Sequence, residues 1–290
     1  MPAHGRIPAF VNPATKDLDA ARAALYDIGR FDVRDVSPSA LAEETRRAVA
    51  DGAHRVLVAG GDGSLATAAG ALAGTGVELA ILPVGTLNHL ARDLGLPLDL
   101  DAAAHVAAFG PSAEVDAATV NGRLFLNTSA VGAYVTFVRV RERLEHRLSY
   151  RLASLIAGMR LIARLPTFRV SLYVEGAKRE YVTPLVFIGV GERELKLPKL
   201  GGRVAGGTAG LHVMVVRSRS GARTIALALA AMARGVEAVA ATPAMDAFLV
   251  DRCVIEPRMH VAAVDGELVK VAPPLDYRHV PGGLRVVVAE

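Results

Sequence analysis

Three short stretches of this chain carry residue types and spacings that could handle phosphate and move a proton. The first is Gly60-Gly61-Asp62-Gly63-Ser64, which follows the apolar run Val56–Ala59 and precedes the helix-compatible stretch Leu65–Leu72. This order predicts a buried strand, a tight turn and the start of a helix. Such a junction aims backbone N–H groups at the positive end of a helix dipole, which suits an anionic phosphate. Glycine lets a ligand approach the main chain. The second stretch is Gly85-Thr86-Leu87-Asn88, between a short apolar strand ending at Val84 and a helix closed near Gly95 and Pro97. The third is Asp265-Gly266-Glu267, a hairpin turn between two apolar runs that carries two carboxylates. Structure alone could account for each of them. Asp62 could cap its own helix, and Thr86 with Asn88 could be a polar turn and a helix cap.

The elements needed to position these residues are legible around them. The first third alternates strands and helices: Ile7–Asn12, Leu18–Ile28, Phe31–Val36, Ser39–Ala50, Val56–Ala59, Ser64–Leu72, Glu78–Leu82 and His89–Leu94. Repeated βα units predict a doubly wound parallel sheet, with ligands beyond the carboxyl ends of the strands. Asn12, Gly60–Ser64 and Gly85–Asn88 all fall at such ends and can converge on one ligand. From about Val115 the pattern changes. Asn121-Gly122 marks a hairpin between Val115–Val120 and Leu124–Asn127, and a helical region over Val138–Leu165 follows. Strands are then predicted at Phe168–Val174, Pro184–Gly189, Leu211–Arg217, Asp246–Glu256, His260–Val264, Leu268–Val271 and Leu284–Ala289. The fold class is therefore an α/β N-terminal domain, residues 1–114, followed by a β-rich, antiparallel domain, residues 115–279.

Taken in order, these motifs resemble the bacterial diacylglycerol kinases and their sphingosine and ceramide kinase relatives, whose usual patterns are G-G-D-G-T and P-x-G-T-x-N-D-F-A-R. Asn12-Pro13, Val115-Asp116 and Val264-Asp265-Gly266-Glu267 extend the resemblance over almost the whole chain. It implies a sandwich-like second domain, with the chain's end (about 280–290) returning to the first. It also implies a phosphate cradle at Gly60, Gly61, Asp62, Gly63 and Ser64, with Asp62 orienting nucleotide phosphates or their Mg²⁺. Asn12, Pro13, Gly85 and Thr86 would lie near the nucleotide, and Asn88 nearer the reacting phosphate. Glu267 would face the interdomain cleft as general base on the acceptor hydroxyl, with Asp116 as a second, orienting carboxylate. The expected activity is transfer of the γ-phosphoryl of Mg·ATP to a lipid hydroxyl, diacylglycerol first among the acceptors, at a membrane surface.

The chain also departs from the family pattern. Ser64 replaces the usual Thr and keeps its hydroxyl, whereas His89 replaces a frequent Asp. Lys16 stands where the N-P-x-S-G loop has glycine, and Arg92 could reach phosphate or simply close its helix. The usual G-N sequence is replaced around Gly189-Val190-Gly191-Glu192. The acidic D-D-G-x-L segment, tied to a structural Mg²⁺ in some members, reads Gly206-Gly207-Thr208-Ala209-Gly210-Leu211, so no protein-held metal is expected there.

Composition excludes several classes. The chain has 290 residues, 52% of them hydrophobic, with one cysteine, Cys253, so no intrachain disulfide can form and a cytoplasmic setting is expected. A net charge of +4 and 5% aromatic residues, without a nucleic-acid motif, give no reason to expect DNA or RNA as partner. The longest apolar candidate, Thr224–Ala241, is broken by Arg234 and Glu237 and predicts a partly buried helix, not a membrane span. Arg139, Arg143, Arg147 and Arg151 recur every fourth residue; on one helix they would form a cationic stripe, solvated or facing anionic lipid. P-loop, zinc and serine-hydrolase motifs are missing. NAD kinases and phosphofructokinases share the G-G-D-G turn but not the rest of the pattern, and a non-catalytic nucleotide or lipid sensor on this scaffold is the rival from another class. The sequence leaves monomer and homodimer both open.

Overall fold

The computed structural model describes residues 5–15, 17–86, 88–146, 148–163, 167–193, 202–204, 206–217 and 245–289. The helix expected at Thr224–Ala241, together with Lys16, Leu87 and Arg147, lies outside them. The chain divides into two compact units: Met1–Ala117 with Arg123–Leu126 and Val280–Glu290, and Ala118–Gly122 with Asn127–His279.

The first unit opens with β1 (Ile7–Val11), α1 (Leu18–Ile28), β2 (Phe31–Asp35), α2 (Leu41–Ala50), β3 (Arg55–Gly60), α3 (Asp62–Leu72) and β4 (Glu78–Pro83). Then come α4 (His89–Asp93), α5 (Leu100–Phe109) and β5 (Ser112–Val120). β1 pairs in parallel with both β2 and β3, and β3 with β4. The order β2-β1-β3-β4 thus reverses direction at β1, the switch point beside which ligands bind in such sheets. Both sheet faces are covered, which explains the continuous apolar strands. Ala9, Leu57, Ala59 and Leu82 pack with Leu25 of α1 and the alanines of α5, while Phe10, Val58 and Ile81 pack with Leu41 of α2 and Leu65 of α3. The α5 helix was not expected from the sequence. Its alanine-rich face carries little periodic contrast, although Asp99 caps it through Ala102 N–H at 3.0 Å.

An ion pair fastens this sheet at its N-terminal side. Arg55 Nε donates to Glu78 at 2.7 Å, and its other nitrogens donate to the carbonyls of Ala107 and Gly110 at 2.9 and 3.0 Å. Burial alone would raise the Glu78 carboxyl, but hydrogen bonds from Ser112 and Arg55 and the charges of Arg55 and Arg285 outweigh it and hold the group below its ordinary 4.5. A depressed folded-state value means that this stabilisation is complete above pH 4.5 and is lost as pH falls through the lowered value. Glu78→Gln is expected to cost about 3 kcal/mol at neutral pH, because it leaves a buried guanidinium without its carboxylate. Urea unfolding curves of the variant should depend less on pH below 4.5 than those of the parent chain.

After β5, the turn Asn121-Gly122 has φ of 49° and 81°, the left-handed pair expected of Asn-Gly, and leads into β6 (Arg123–Phe125). Next come β7 (Thr128–Gly132), α6 (Ala133–Glu145), α7 (Tyr150–Ala163), β8 (Phe168–Val174), β9 (Ala177–Thr183), β10 (Leu185–Val190) and β11 (Leu211–Val216). The chain ends with β12 (Met245–Val250), β13 (Arg252–Pro257), β14 (Val261–Val264), β15 (Glu267–Lys270) and β16 (Leu275–Val287). In the second unit, β12-β11-β10-β7-β14-β15 form one antiparallel sheet. The first part of β16 joins β13, β8 and β9 in another. Tyr277 and Ser129 meet between these two sheets, oxygen to oxygen at 3.0 Å, and burial drives the Tyr277 hydroxyl strongly upward.

Three expectations need correction. The single helical region over Val138–Leu165 is two helices that begin earlier, at Ala133, and break around His146–Ser149. Arg139 and Arg143 therefore share α6 while Arg151 lies on α7, so the four arginines do not form one helical stripe. The strand expected over Asp246–Glu256 is two, β12 and β13, separated at Asp251. β9, missed altogether, reads Ala-Lys-Arg-Glu-Tyr-Val-Thr, and its polar first half hides the alternation.

Candidate active site

The glycine turn sits where β3 ends and α3 begins. Gly61 is the N-cap residue, extended at φ −89° and ψ −178°, and no side chain caps the helix. The first intrahelical bond runs from Leu65 N–H to Gly61 C=O at 3.1 Å. The amides of Asp62, Gly63 and Ser64 therefore form the first turn, ahead of that bond and at the positive end of the helix dipole. Asp62 does not cap its own helix. Its carboxylate reaches the neighbouring turn, where Oδ2 accepts from His89 N–H at 3.2 Å and Oδ1 from Leu90 N–H at 3.1 Å. One acid thus ties the loop after β3 to the helix after β4.

The same two loops are in backbone contact. A Cβ on Gly85 would lie 2.5 Å from Gly61 Cα and 2.7 Å from Asn88 Oδ1, and one on Gly60 would lie 2.6 Å from Ser64 Cβ. Glycine is required at Gly60 and Gly85 by this closeness rather than by positive φ. Asn88 is buried and left-handed, at φ 51°. Its Nδ2 donates to Pro83 C=O at 3.1 Å and its Oδ1 accepts from Gly85 N–H at 2.9 Å. Its amide therefore closes the 83–88 loop on itself, which assigns it first to shaping that loop. Thr86 is exposed and Ser64 half-buried. α4 stops in a Schellman arrangement, with Leu96 N–H on Ala91 C=O and Gly95 N–H on Arg92 C=O.

At the end of β1, Asn12 Oδ1 accepts from Ala14 N–H at 3.0 Å, an Asx turn that carries exposed Pro13 around the corner. Thr15 Oγ1 then donates to Val84 C=O at 3.1 Å. The ends of β1, β3 and β4 are thus joined by specific bonds, and the structure brings Asn12, Gly60–Ser64 and Gly85–Asn88 together at one edge of the parallel sheet. Asp116, on β5, accepts from Gly282 N–H at 3.0 Å and so holds a glycine of β16.

Glu267 belongs to the second unit, as the exposed first residue of β15. The turn before it is Asp265-Gly266, left-handed at both residues with φ of 46° and 84°, and closed by the pair Val264↔Glu267. Asp265 is half-buried and works structurally. One carboxylate oxygen accepts the N–H groups of Asn127 and Thr128 at 2.8 and 3.0 Å, while its own N–H donates to Thr128 C=O at 2.7 Å. The sequence marks this residue only as part of an Asp-Gly turn. A second residue without any sequence signal is Arg193, 2% exposed, whose guanidinium donates to Asn127 and Val190.

Among the described residues no group of three or more His, Cys, Asp or Glu could hold a metal ion. Within residues 60–64 and 85–88 the one carboxylate is that of Asp62, whose two oxygens already accept backbone N–H groups. These residues fit an ion that arrives on nucleotide phosphates and takes most of its ligands from them.

The first unit is a doubly wound sheet with glycine-rich turns at one end and the second is an antiparallel β-rich unit, and comparison with known proteins narrows this class of fold. Residues 10–120 match the model of the diacylglycerol kinase catalytic domain. A Mycobacterium tuberculosis diacylglycerol kinase is 30% identical over 200 residues, 64% of each chain. "Probable lipid kinase YegS-like" of Pseudomonas syringae pv. tomato is 44% identical over 93 residues, which is 31% of this chain and 30% of that protein. The matched part thus spans about a third to two thirds of these relatives' length. Two solved Bacillus anthracis chains, one of them described as a diacylglycerol kinase, superpose with TM-scores of 0.75 and 0.68 over 98% of this chain, at 21% and 19% identity. Residues 10–120 are thus similar to the diacylglycerol kinase catalytic domain, and the chain shares the fold of these solved chains.

Proposed function

We propose that this protein is an ATP-dependent lipid kinase that phosphorylates a lipid hydroxyl, with diacylglycerol as the first acceptor to test. The observation that carries this reading is the joining of two glycine turns through Asp62, which leaves a compact, side-chain-poor floor beside the first-turn amides of α3. That floor suits a triphosphate. Gly60, Gly61, Asp62, Gly63, Ser64, Gly85 and Thr86 would hold the phosphates, with Asn12, Pro13 and Asn88 shaping the rim. Mg²⁺ bound to the nucleotide would neutralise charge that develops on the transferred group.

Glu267 would act as general base. As the acceptor oxygen bonds to the γ-phosphorus, its proton passes to the Glu267 carboxylate, the bond between the γ-phosphorus and the β–γ bridging oxygen breaks, and ADP leaves with the electron pair. Asp116 would orient the neighbouring chain through Gly282. Among the described residues no helix is long and apolar enough to cross a membrane. We take the lipid to be met at a membrane surface, where exposed Arg139 and Arg143 could contact anionic headgroups.

The test is phosphate incorporation from γ-labelled ATP into diacylglycerol, sphingosine, NAD and fructose 6-phosphate, each presented separately. Labelled phosphatidic acid is the expected product. Label in NAD or the sugar alone would assign a soluble acceptor, and ATP binding without any transfer would favour a nucleotide sensor.

A further inference from the structure

We propose that Arg193 is a positioning residue for Glu267, acting through Asn127 and the Asp265 turn; this rests on the reading of Glu267 as the base. Arg193 is 2% exposed, and placing a guanidinium there carries a large desolvation penalty unless its donors are met. Both of its terminal nitrogens reach Asn127. Nη1 donates to Asn127 Oδ1 at 2.6 Å, and Nη2 to Asn127 C=O at 2.7 Å and to Val190 C=O at 2.7 Å. A rigid fork suits two acceptors of one residue, whereas the single ammonium of lysine does not.

Asn127 is held from its other side by the turn that carries the base. Its N–H donates to Asp265 Oδ1 at 2.8 Å, and the next amide, Thr128 N–H, donates to the same oxygen at 3.0 Å. Asp265 returns its own N–H to Thr128 C=O at 2.7 Å, and Glu267 stands two residues on, at the start of β15. A continuous set of hydrogen bonds therefore runs from the arginine to the turn.

Neighbouring residues make room for the arginine. Gly189 has no side chain where the Arg193 stem crosses, and a Cβ there would overlap Arg193 Cγ. Arg193 N–H donates to His212 Nδ1 at 3.0 Å, which requires the neutral tautomer with that nitrogen bare; burial lowers the His212 pKa and favours this form. Displacing Asn127 would let the turn move relative to β7, and misplacing a reacting group by about 1 Å can cost about 10²-fold in rate.

The experiment measures single-turnover phosphorylation of the acceptor by the full chain carrying Arg193→Lys, alone and combined with Glu267→Gln, with KM for ATP and the thermal midpoint recorded for each protein. In the parent background, Arg193→Lys should lower the rate at least about tenfold with KM for ATP unchanged. In the Glu267→Gln background it should cause no further loss. An equal loss in both backgrounds, or none in the parent, would overturn the proposal. Parent-like activity of Glu267→Gln alone would instead overturn the reading of the base, and that arm needs no Arg193 variant. If Arg193→Lys does not fold, Asn127→Ala, which removes one acceptor of the fork and keeps every backbone bond, decides on the same criteria.

Discussion

Glu267→Gln is expected to lower the turnover number for lipid phosphorylation by about 10²- to 10⁴-fold while the affinity for ATP stays at its parent value. Glutamine preserves the shape of the side chain but cannot accept the proton released when the acceptor oxygen attacks. The position is an exposed strand start, so the substitution should change folding stability by no more than about 0.5 kcal/mol. Loss of turnover without loss of thermal midpoint or of nucleotide binding is thus the expected signature. A parallel loss of ATP affinity would instead assign Glu267 to nucleotide binding.

The second large effect is expected at Gly85. The methyl group of alanine would sit 2.5 Å from Gly61 Cα and 2.7 Å from Asn88 Oδ1. One of these neighbours is backbone, and the other belongs to a side chain pinned at both ends of its amide, so neither yields without moving a turn. Overpacking of this kind costs about 1–3 kcal/mol, and here the strain falls on the contact that holds the two glycine turns together. Gly85→Ala should therefore fold less stably and bind ATP at least about tenfold more weakly, the equivalent of about 1.4 kcal/mol in binding. Gly70→Ala is a suitable control, since a Cβ there meets nothing within 4 Å.

The parallel sheet and its loops were legible because buried strands, glycine turns and helix starts each leave a local mark. Val56–Ala59, Gly60–Ser64 and the helix after them were placed within two residues of β3 and α3, and the Asn-Gly and Asp-Gly turns have the left-handed backbone their residue types favour. What escaped the sequence is what long-range contact decides. The reach of Asp62 to His89 and Leu90 spans 27 and 28 residues, and that of Asp265 to Asn127 spans 138. Neither carboxylate partner set could be inferred from spacing, because both acids look like ordinary turn residues. Arg193 is the extreme case: an arginine near two glycines predicts an exposed loop, yet its side chain is almost wholly buried. The break between α6 and α7 escaped as well, since no glycine or proline marks the residues from His146 to Ser149.

The central claim, that the turn around Asp62 receives the phosphates of a nucleotide, is tested most directly by amide resonances. With Mg·ATP added, the backbone amides of Gly61, Asp62, Gly63, Ser64 and Gly85 should shift together along one saturable curve. Adenosine at the same concentration should leave them in place. If Mg·ATP moves only resonances elsewhere in the chain, or if adenosine alone reproduces the shifts, the turn does not grip phosphate and the kinase reading loses its foundation.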